Sequence, residues 1–323
     1  MRVVVQTGAR IHLGFYGLCD ARNLLRLGGV GIGVDGVGYK LTLSIRQGSR
    51  RVKVVGCQSN RAEAIAKKAL RDLNLDLDLS LKLEECVPEH VGLGSTTQLT
   101  LSIYAALAVA SGRSLEHAVN LAKRGPYSGI GTGVFLKGGF VLDSGVRVGE
   151  KRALPALSGR VPHRWRLVAV IPSSRRGIGE GADEDRLMAV PRGLERESCC
   201  KAYEYLLRGV IPGLAFSDLD LFGWGVEGLQ RLTGMYFSAA QGSTFCCRES
   251  EEAAHLLKRL GARGVGQSSW GPLVYGFFGS EKEAVRAADS LAKILGDAAR
   301  VLILSPRNKP AEIRVEDSMR LRS

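Results

Sequence analysis

Hydrophobic and polar positions alternate with period two in RVVVQ (2–6) and in GYKLTLSIR (38–46), where Leu41, Leu43 and Ile45 share one face. VKVVG (52–56) and LSLKLEECV (79–87) continue this β-rich start. Between them RAEAIAKKALRDL (61–73) changes to helical spacing, with Ala62, Ile65, Ala66, Ala69 and Leu70 on one stripe. STTQLTLSIYAALAVASG (95–112) predicts a helix with hydroxyls at its start and Gly112 at its end. That helix is apolar almost all round, which predicts burial. SLEHAVNLAKRG (114–125) reads as a second helix, GVFLKGGFVLDSG (133–145) as a glycine-rich hairpin, and 149–165 as a connection. Beyond it the strand patterns RLVAVIP, GPLVYGFF and RVLILSP accompany helical patterns over 194–209, 214–233, 249–261 and 281–296. The pattern therefore divides near 160 into two α+β halves, 1–160 and 161–323.

Composition narrows the function classes. The chain has 323 residues, 45% hydrophobic and 24% charged, ordinary values for a soluble globular protein. No apolar run approaches the roughly 18–20 residues of a membrane span. The N-terminus lacks a signal peptide's apolar block, so a cytoplasmic protein without a membrane partner is expected. A net charge of +13 suits either a nucleic-acid binder or an enzyme for highly anionic small substrates. The basic residues are scattered, in pairs such as Arg50–Arg51 and Arg175–Arg176, without zinc-finger spacing, and this favours small anionic substrates over nucleic acid. Seven cysteines with no CxxC spacing argue against a thiolate metal site. Reduced core thiols are expected, with the adjacent pairs Cys199–Cys200 and Cys246–Cys247 leaving a disulfide open.

The stretch PEHVGLGSTTQ (88–98) carries the most chemistry. Its glycines let the backbone turn tightly and approach a ligand, and Ser95, Thr96 and Thr97 stand where a helix begins. Unpaired N–H groups and the positive end of the helix dipole favour an anion there. No GK[ST] follows, so it is not a Walker A loop. GIGVDG (31–36) matches a dinucleotide fingerprint as a string, but a strand pattern follows it and the next acid, Glu63, is too distant for a ribose contact. TGARIHLGF places Arg10 and His12 two apart on a strand, a cation and an imidazole on one face. YSGIGTG (127–133) and GVGQSSWGP (264–272) are further loops dense in glycine and hydroxyls. Three such loops from both halves suggest a glycine-lined cleft for a large polar ligand. Trp270 serves there as a stacking platform or as a core residue.

PEHVGLGSTTQ resembles the Pro-x-x-x-Gly-Leu-Gly-Ser-Ser signature of the GHMP kinase superfamily, with Thr96 in place of the second serine. The resemblance implies an N-terminal domain like ribosomal protein S5 domain 2 and a ferredoxin-like C-terminal domain. Several members carry Ser-Gly-Ile-Asp with a catalytic aspartate; here the string is Ser128-Gly129-Ile130-Gly131, which argues against phosphoryl transfer to a hydroxyl. ARIHLGFYGL, GGVGIGVD, PEHVGLGSTTQL, SGIGTGVFLKGGFVLD and GVGQSSWGP together are similar to the β-ribofuranosylaminobenzene 5′-phosphate synthase family of methanopterin biosynthesis. That similarity implies condensation of 5-phosphoribosyl 1-pyrophosphate with 4-aminobenzoate or 4-hydroxybenzoate, releasing CO2 and pyrophosphate. It implies Mg2+, no pyridoxal phosphate, and a homodimer; an ATP-dependent small-molecule kinase is the alternative. On this reading Arg10, His12 and Ser95 are catalytic, and Gly92, Leu93, Gly94, Ser95, Thr96 and Thr97 bind phosphate. Gln98, Ser128, Gly129, Gly131, Gln267, Ser268, Ser269 and Trp270 bind substrate, and Asp35 is a metal carboxylate.

Overall fold

The computed structural model describes residues 1–19, 25–147, 149–150, 152–175, 177, 182–190 and 193–316; Arg176 of the second basic pair lies outside them. The long antiparallel pair β1 (Arg2–Gly17) and β2 (Leu25–Gln47) organises the first half. At 23 residues β2 has room for several neighbours. Its C-terminal part pairs with β4 (Leu77–Glu85), its N-terminal part with β5 (Phe140–Arg147), and Asp35 lies opposite Ser305 of β10 (Ala299–Pro306). GIGVDG is therefore strand interior. β3 (Val52–Gly56) runs parallel to β4, and β6 (Ala153–Gly159) flanks β5, so the expected connection contains a strand.

In the second half β10, β7 (Arg166–Pro172), β9 (Val274–Phe278) and β8 (Arg263–Gln267) lie in that order, all antiparallel, as in a ferredoxin-like sheet. Helices α9 (Arg248–Arg259) and α10 (Glu281–Leu295) cover it with Ala253, Leu257, Ala284 and Leu291. The last strand, β11 (Glu312–Glu316), returns to pair with β1, so the two halves share one 11-stranded sheet among the described residues.

Helix α1 (Ser59–Asp72) and helix α2 (Ser95–Ala110) match their patterns, and α2 is buried on nearly every face. The expected hairpin over 133–145 is instead the end of α4 (Ile130–Lys137) followed by β5. Ile130, Val134 and Phe135 bury one helical stripe, which the flanking glycines disguise. Between α6 (Arg196–Tyr205) and α7 (Ile211–Phe216) a π-helical turn, Leu206–Val210, keeps the chain helical. Helix α8 (Leu219–Gln241) then starts where Asp218 accepts the Leu221 N–H. Among the described residues no helix is long and apolar enough to cross a membrane.

The cysteines depart from expectation. Disulfides join Cys19 to Cys199 and Cys57 to Cys86, while Cys200, Cys246 and Cys247 are free. Cys57 and Cys86 end the neighbouring parallel strands β3 and β4, with Cα atoms 6.3 Å apart. Neighbours in space were paired, not neighbours in sequence.

Candidate active site

The loop before α2 is held by backbone contacts from three directions. Arg10 N–H donates to the Leu93 carbonyl at 3.1 Å, Leu273 N–H to Val91 at 3.1 Å, and Gly177 N–H to His90 at 2.5 Å. Gly92 and Gly94 have φ of 97° and 72°, the left-handed region glycine favours. A Cβ on Gly92 would stand 2.4 Å from the Ser268 carbonyl oxygen. No side chain caps α2 at Gly94, and the start of the helix opens onto a cavity lined by Gly92, Gly94, Ser95, Thr96 and Thr97, where helix N–H groups and the dipole favour an anion.

Three guanidinium groups surround this cradle. Arg10 on β1 donates to the Gly92 carbonyl at 2.8 Å and approaches Ser268 Oγ at 3.4 Å. Arg61 on α1 donates to Thr96 Oγ1, and Arg124 reaches Thr97 Oγ1 at 3.5 Å. Burial lowers Arg10 and Arg124 to about 10, which leaves both charged at neutral pH. No motif marks Arg61 or Arg124 in the sequence. They reach the loop only because α1 and the segment after α3 (Leu115–Leu121) pack beside α2.

A second cavity adjoins the first. Phe15, Phe237 and Trp270 form its apolar wall, with ring centroids 5.8 Å apart for the first pair and 5.0 Å for the second. Arg10, His12, Ser128 and Gly131 also line it. His12 Nδ1 accepts the Gly14 N–H at 3.1 Å, so in the neutral ring Nε2 carries the proton, 3.3 Å from Ser128 Oγ. Ser128 donates to Asp143 Oδ2 at 3.0 Å. Asp143, fully buried, also accepts N–H groups of Gly29, Gly129 and Gly145. Burial raises its pKa against these donors, and its place is that of a clamp joining Gly29 of β2, Gly129 at the start of α4 and Gly145 of β5.

Burial, and then the Arg10 charge, push His12 down to about 3, so it stays neutral through the working range. Its folded pKa lies below the unfolded value of about 6.5, so its contribution to stability is complete above that pH and is lost as pH falls toward about 3. Denaturant titrations at pH 7 and pH 5 should show a loss of about 2 kcal/mol that His12→Gln lacks. Equal pH dependence of the two proteins would show that His12 protonates freely in the fold.

Five residues line both cavities: Arg10, Thr97, Glu184, Ser269 and Trp270. Glu184, on α5 (Ala182–Ala189), accepts the Trp270 indole N–H at 3.2 Å. Burial raises its pKa, while the Trp270 N–H, Arg10 and Arg124 lower it. Among the described residues lining the two cavities it is the one carboxylate.

Other expected residues have different places. Asp35 pairs with Arg307 at 2.8 Å and lines neither cavity. Gln98 is fully buried, accepts from Thr7 at 2.8 Å and donates to the Gly131 carbonyl at 2.9 Å, which ties α4 to β1. Leu93 is core, and Gly129 donates to Asp143. Ser268 is buried and bridges His12 N–H to the Gly92 carbonyl. Gln267 lines the aromatic cavity, but its amide is engaged by Cys246 N–H and the Ser269 carbonyl. No cluster of three or more His, Cys, Asp or Glu suited to a metal occurs among the described residues. Were magnesium to bind here, the Ser95 and Thr96 hydroxyls would be the side-chain oxygens at hand, beside substrate phosphates and water.

No family model matches the chain. It is 27% identical to the β-ribofuranosylphenol 5′-phosphate synthase of Methanothermobacter thermautotrophicus over 96% of this chain and 98% of that one. The enzyme of the same name from Archaeoglobus fulgidus is 31% identical over 70% of this chain and 73% of its own. Among solved structures, a homoserine kinase from Cytophaga hutchinsonii superposes with TM-score 0.67 at 15% identity, covering 97% of both chains. Mevalonate diphosphate decarboxylase from Staphylococcus aureus gives 0.68 at 13% identity over 97% of this chain and 98% of that one. The fold is that of these GHMP-type proteins.

Proposed function

The chain belongs to the β-ribofuranosylphenol 5′-phosphate synthase family, and on that premise we propose that it joins 5-phosphoribosyl 1-pyrophosphate to 4-hydroxybenzoate, releasing CO2 and pyrophosphate. The phenol in the relatives' name favours the hydroxy over the amino acceptor. The observation that carries the reading is the adjacency of an anion cradle at a helix N-terminus and an aromatic-walled cavity, with one shared wall.

The reaction needs little proton chemistry. The bond from ribose C1 to the pyrophosphate oxygen breaks, and its electron pair leaves with pyrophosphate. The ring carbon bearing the carboxylate supplies the pair for the new C1–carbon bond. Loss of CO2 then returns a pair to the ring and restores the phenol. We assign pyrophosphate to the cradle, where the α2 N–H groups and Arg10, Arg61 and Arg124 stabilise the charge it gains. Magnesium, when bound, would neutralise part of that charge. The acceptor ring lies against Phe15, Phe237 and Trp270. The division into units 1–160 and 161–323, with β11 lent to the first, remains part of this proposal.

Structure also bears on the kinase alternative. A Cβ on Gly131 would stand 2.8 Å from Thr97 Cγ2, so the base position of hydroxyl-phosphorylating relatives has no room for a side chain without moving Thr97. Incubation with phosphoribosyl pyrophosphate and carboxyl-labelled 4-hydroxybenzoate should release labelled CO2 and pyrophosphate in equal amounts. Absence of label release at any magnesium concentration would refute the synthase reading.

A further inference from the structure

We propose that Glu184 is the carboxylate that faces ribose C1 and stabilises the positive charge that develops there as pyrophosphate departs. The inference rests on the reaction proposed above and concerns a residue on α5, which carries none of the sequence motifs.

Its position assigns the role. Pyrophosphate leaves from one face of the ribose and the aryl ring arrives at the opposite face, since phosphoribosyl pyrophosphate is an α-glycoside and the relatives' product is β. C1 must therefore sit between the two groups. With pyrophosphate in the cradle and the ring in the aromatic cavity, C1 falls at the wall the cavities share. That wall presents Arg10, Thr97, Glu184, Ser269 and Trp270. Of these only Glu184 has the charge sign that favours a carbocation-like centre.

The surroundings hold the carboxylate ready. Trp270 Nε1–H bonds one oxygen at 3.2 Å and fixes the side chain against the same indole that walls the aryl site. The charges acting on it are Arg10 from β1, Arg124 after α3, and Asp185 on its own helix. Burial raises the pKa of this carboxyl, and the Trp270 N–H and the two arginines oppose that rise. The same site thus sets cations toward the leaving group and an anion toward the carbon it leaves. A carboxylate among groups that bind a pentaanionic substrate opposes ground-state binding by charge repulsion. Its compensation comes only in the transition state, where C1 is cationic.

This predicts a divided response in Glu184→Gln. The turnover number should fall about 100-fold, an effect of the size seen when one preorganised electrostatic group is lost. Affinity for magnesium pyrophosphate, measured by calorimetry, should stay equal or become tighter. Glu184→Asp should recover part of the rate. Circular dichroism and thermal unfolding check that the variants fold. If Glu184→Gln binds magnesium pyrophosphate more weakly and excess magnesium restores its rate, Glu184 is a metal ligand and the inference fails. A turnover within about threefold of wild type also overturns it. If the wild-type protein releases no CO2 from the labelled acceptor, the parent reaction fails instead, so the two failures are separable.

Discussion

Arg10→Ala is expected to lower kcat/KM about 1000-fold and leave the protein folded. Arg10 donates to the Gly92 carbonyl at 2.8 Å, faces Glu184, and lines both cavities. On the proposed assignment its removal takes a cation from the pyrophosphate site and the counter-charge from Glu184 together. One preorganised donor is worth about 100- to 1000-fold, and a buried charge contact adds to it. Folding is expected to survive because the Leu93 carbonyl is held by the Arg10 backbone N–H, which alanine keeps, and the Gly92 carbonyl still accepts from Ser268 Oγ at 2.6 Å. Arg10→Lys should recover little, since an ammonium is a point charge and does not replace the guanidinium fork. Arg10→Ala and Glu184→Gln should be non-additive when combined, because each loses the partner whose field it supplies. Steady-state kinetics on the four proteins tests this. A loss under tenfold for Arg10→Ala would remove Arg10 from the transition state.

Much of the candidate site's local geometry was legible in the sequence, for a specific reason. The cradle is local. Two left-handed glycines and three hydroxyls at a helix start are contiguous, so their chemistry is written in one string. Arg10 and His12 were readable as a pair because a strand sends alternate residues to one side. The fold class followed from the same logic, since periods of two and 3.6 alternate through both halves. What stayed hidden is assembled from distant segments. Arg61 reaches Thr96 from the preceding helix, and Glu184 reaches Trp270 across 86 positions. Asp143 gathers N–H groups from β2, the start of α4 and its own strand β5, yet in the sequence it is one acid in an expected hairpin. The converse cases have the same origin. Asp35 looked like a metal ligand in a glycine-rich string, but β10 and Arg307 return from the far end of the chain to occupy it. Gln98 follows the hydroxyls and looked available, yet Thr7 and Gly131 take up its amide. The disulfides obey the same rule, because cysteine pairing depends on which strands become neighbours.

Gly92→Ala should abolish detectable release of CO2 and pyrophosphate, a loss beyond about 1000-fold, whereas Gly94→Ala should keep a measurable rate. The sequence treats these glycines alike; the structure does not. At Gly92 the added Cβ meets a backbone atom, the Ser268 carbonyl oxygen at 2.4 Å, in a loop that backbone bonds to Leu273 and Gly177 prevent from drifting. The collision must open the Gly92–Ser268 contact, and with it the position of His12, whose N–H bonds Ser268 Oγ at 2.9 Å. At Gly94 the Cβ meets the Arg10 side chain, 2.7 Å from Cγ, which turns away at some cost to its guanidinium. Both substitutions also strain a positive φ, by about 1–2 kcal/mol. Gly112→Ala supplies the control: its φ is 67°, nothing lies within 4 Å of the added Cβ, and it stands at the far end of α2. That variant should lose similar stability and keep full activity. Calorimetry with pyrophosphate then separates the causes, since Gly92→Ala should lose binding while Gly112→Ala retains it. Wild-type binding by Gly92→Ala would mean that the anion is not held by this loop.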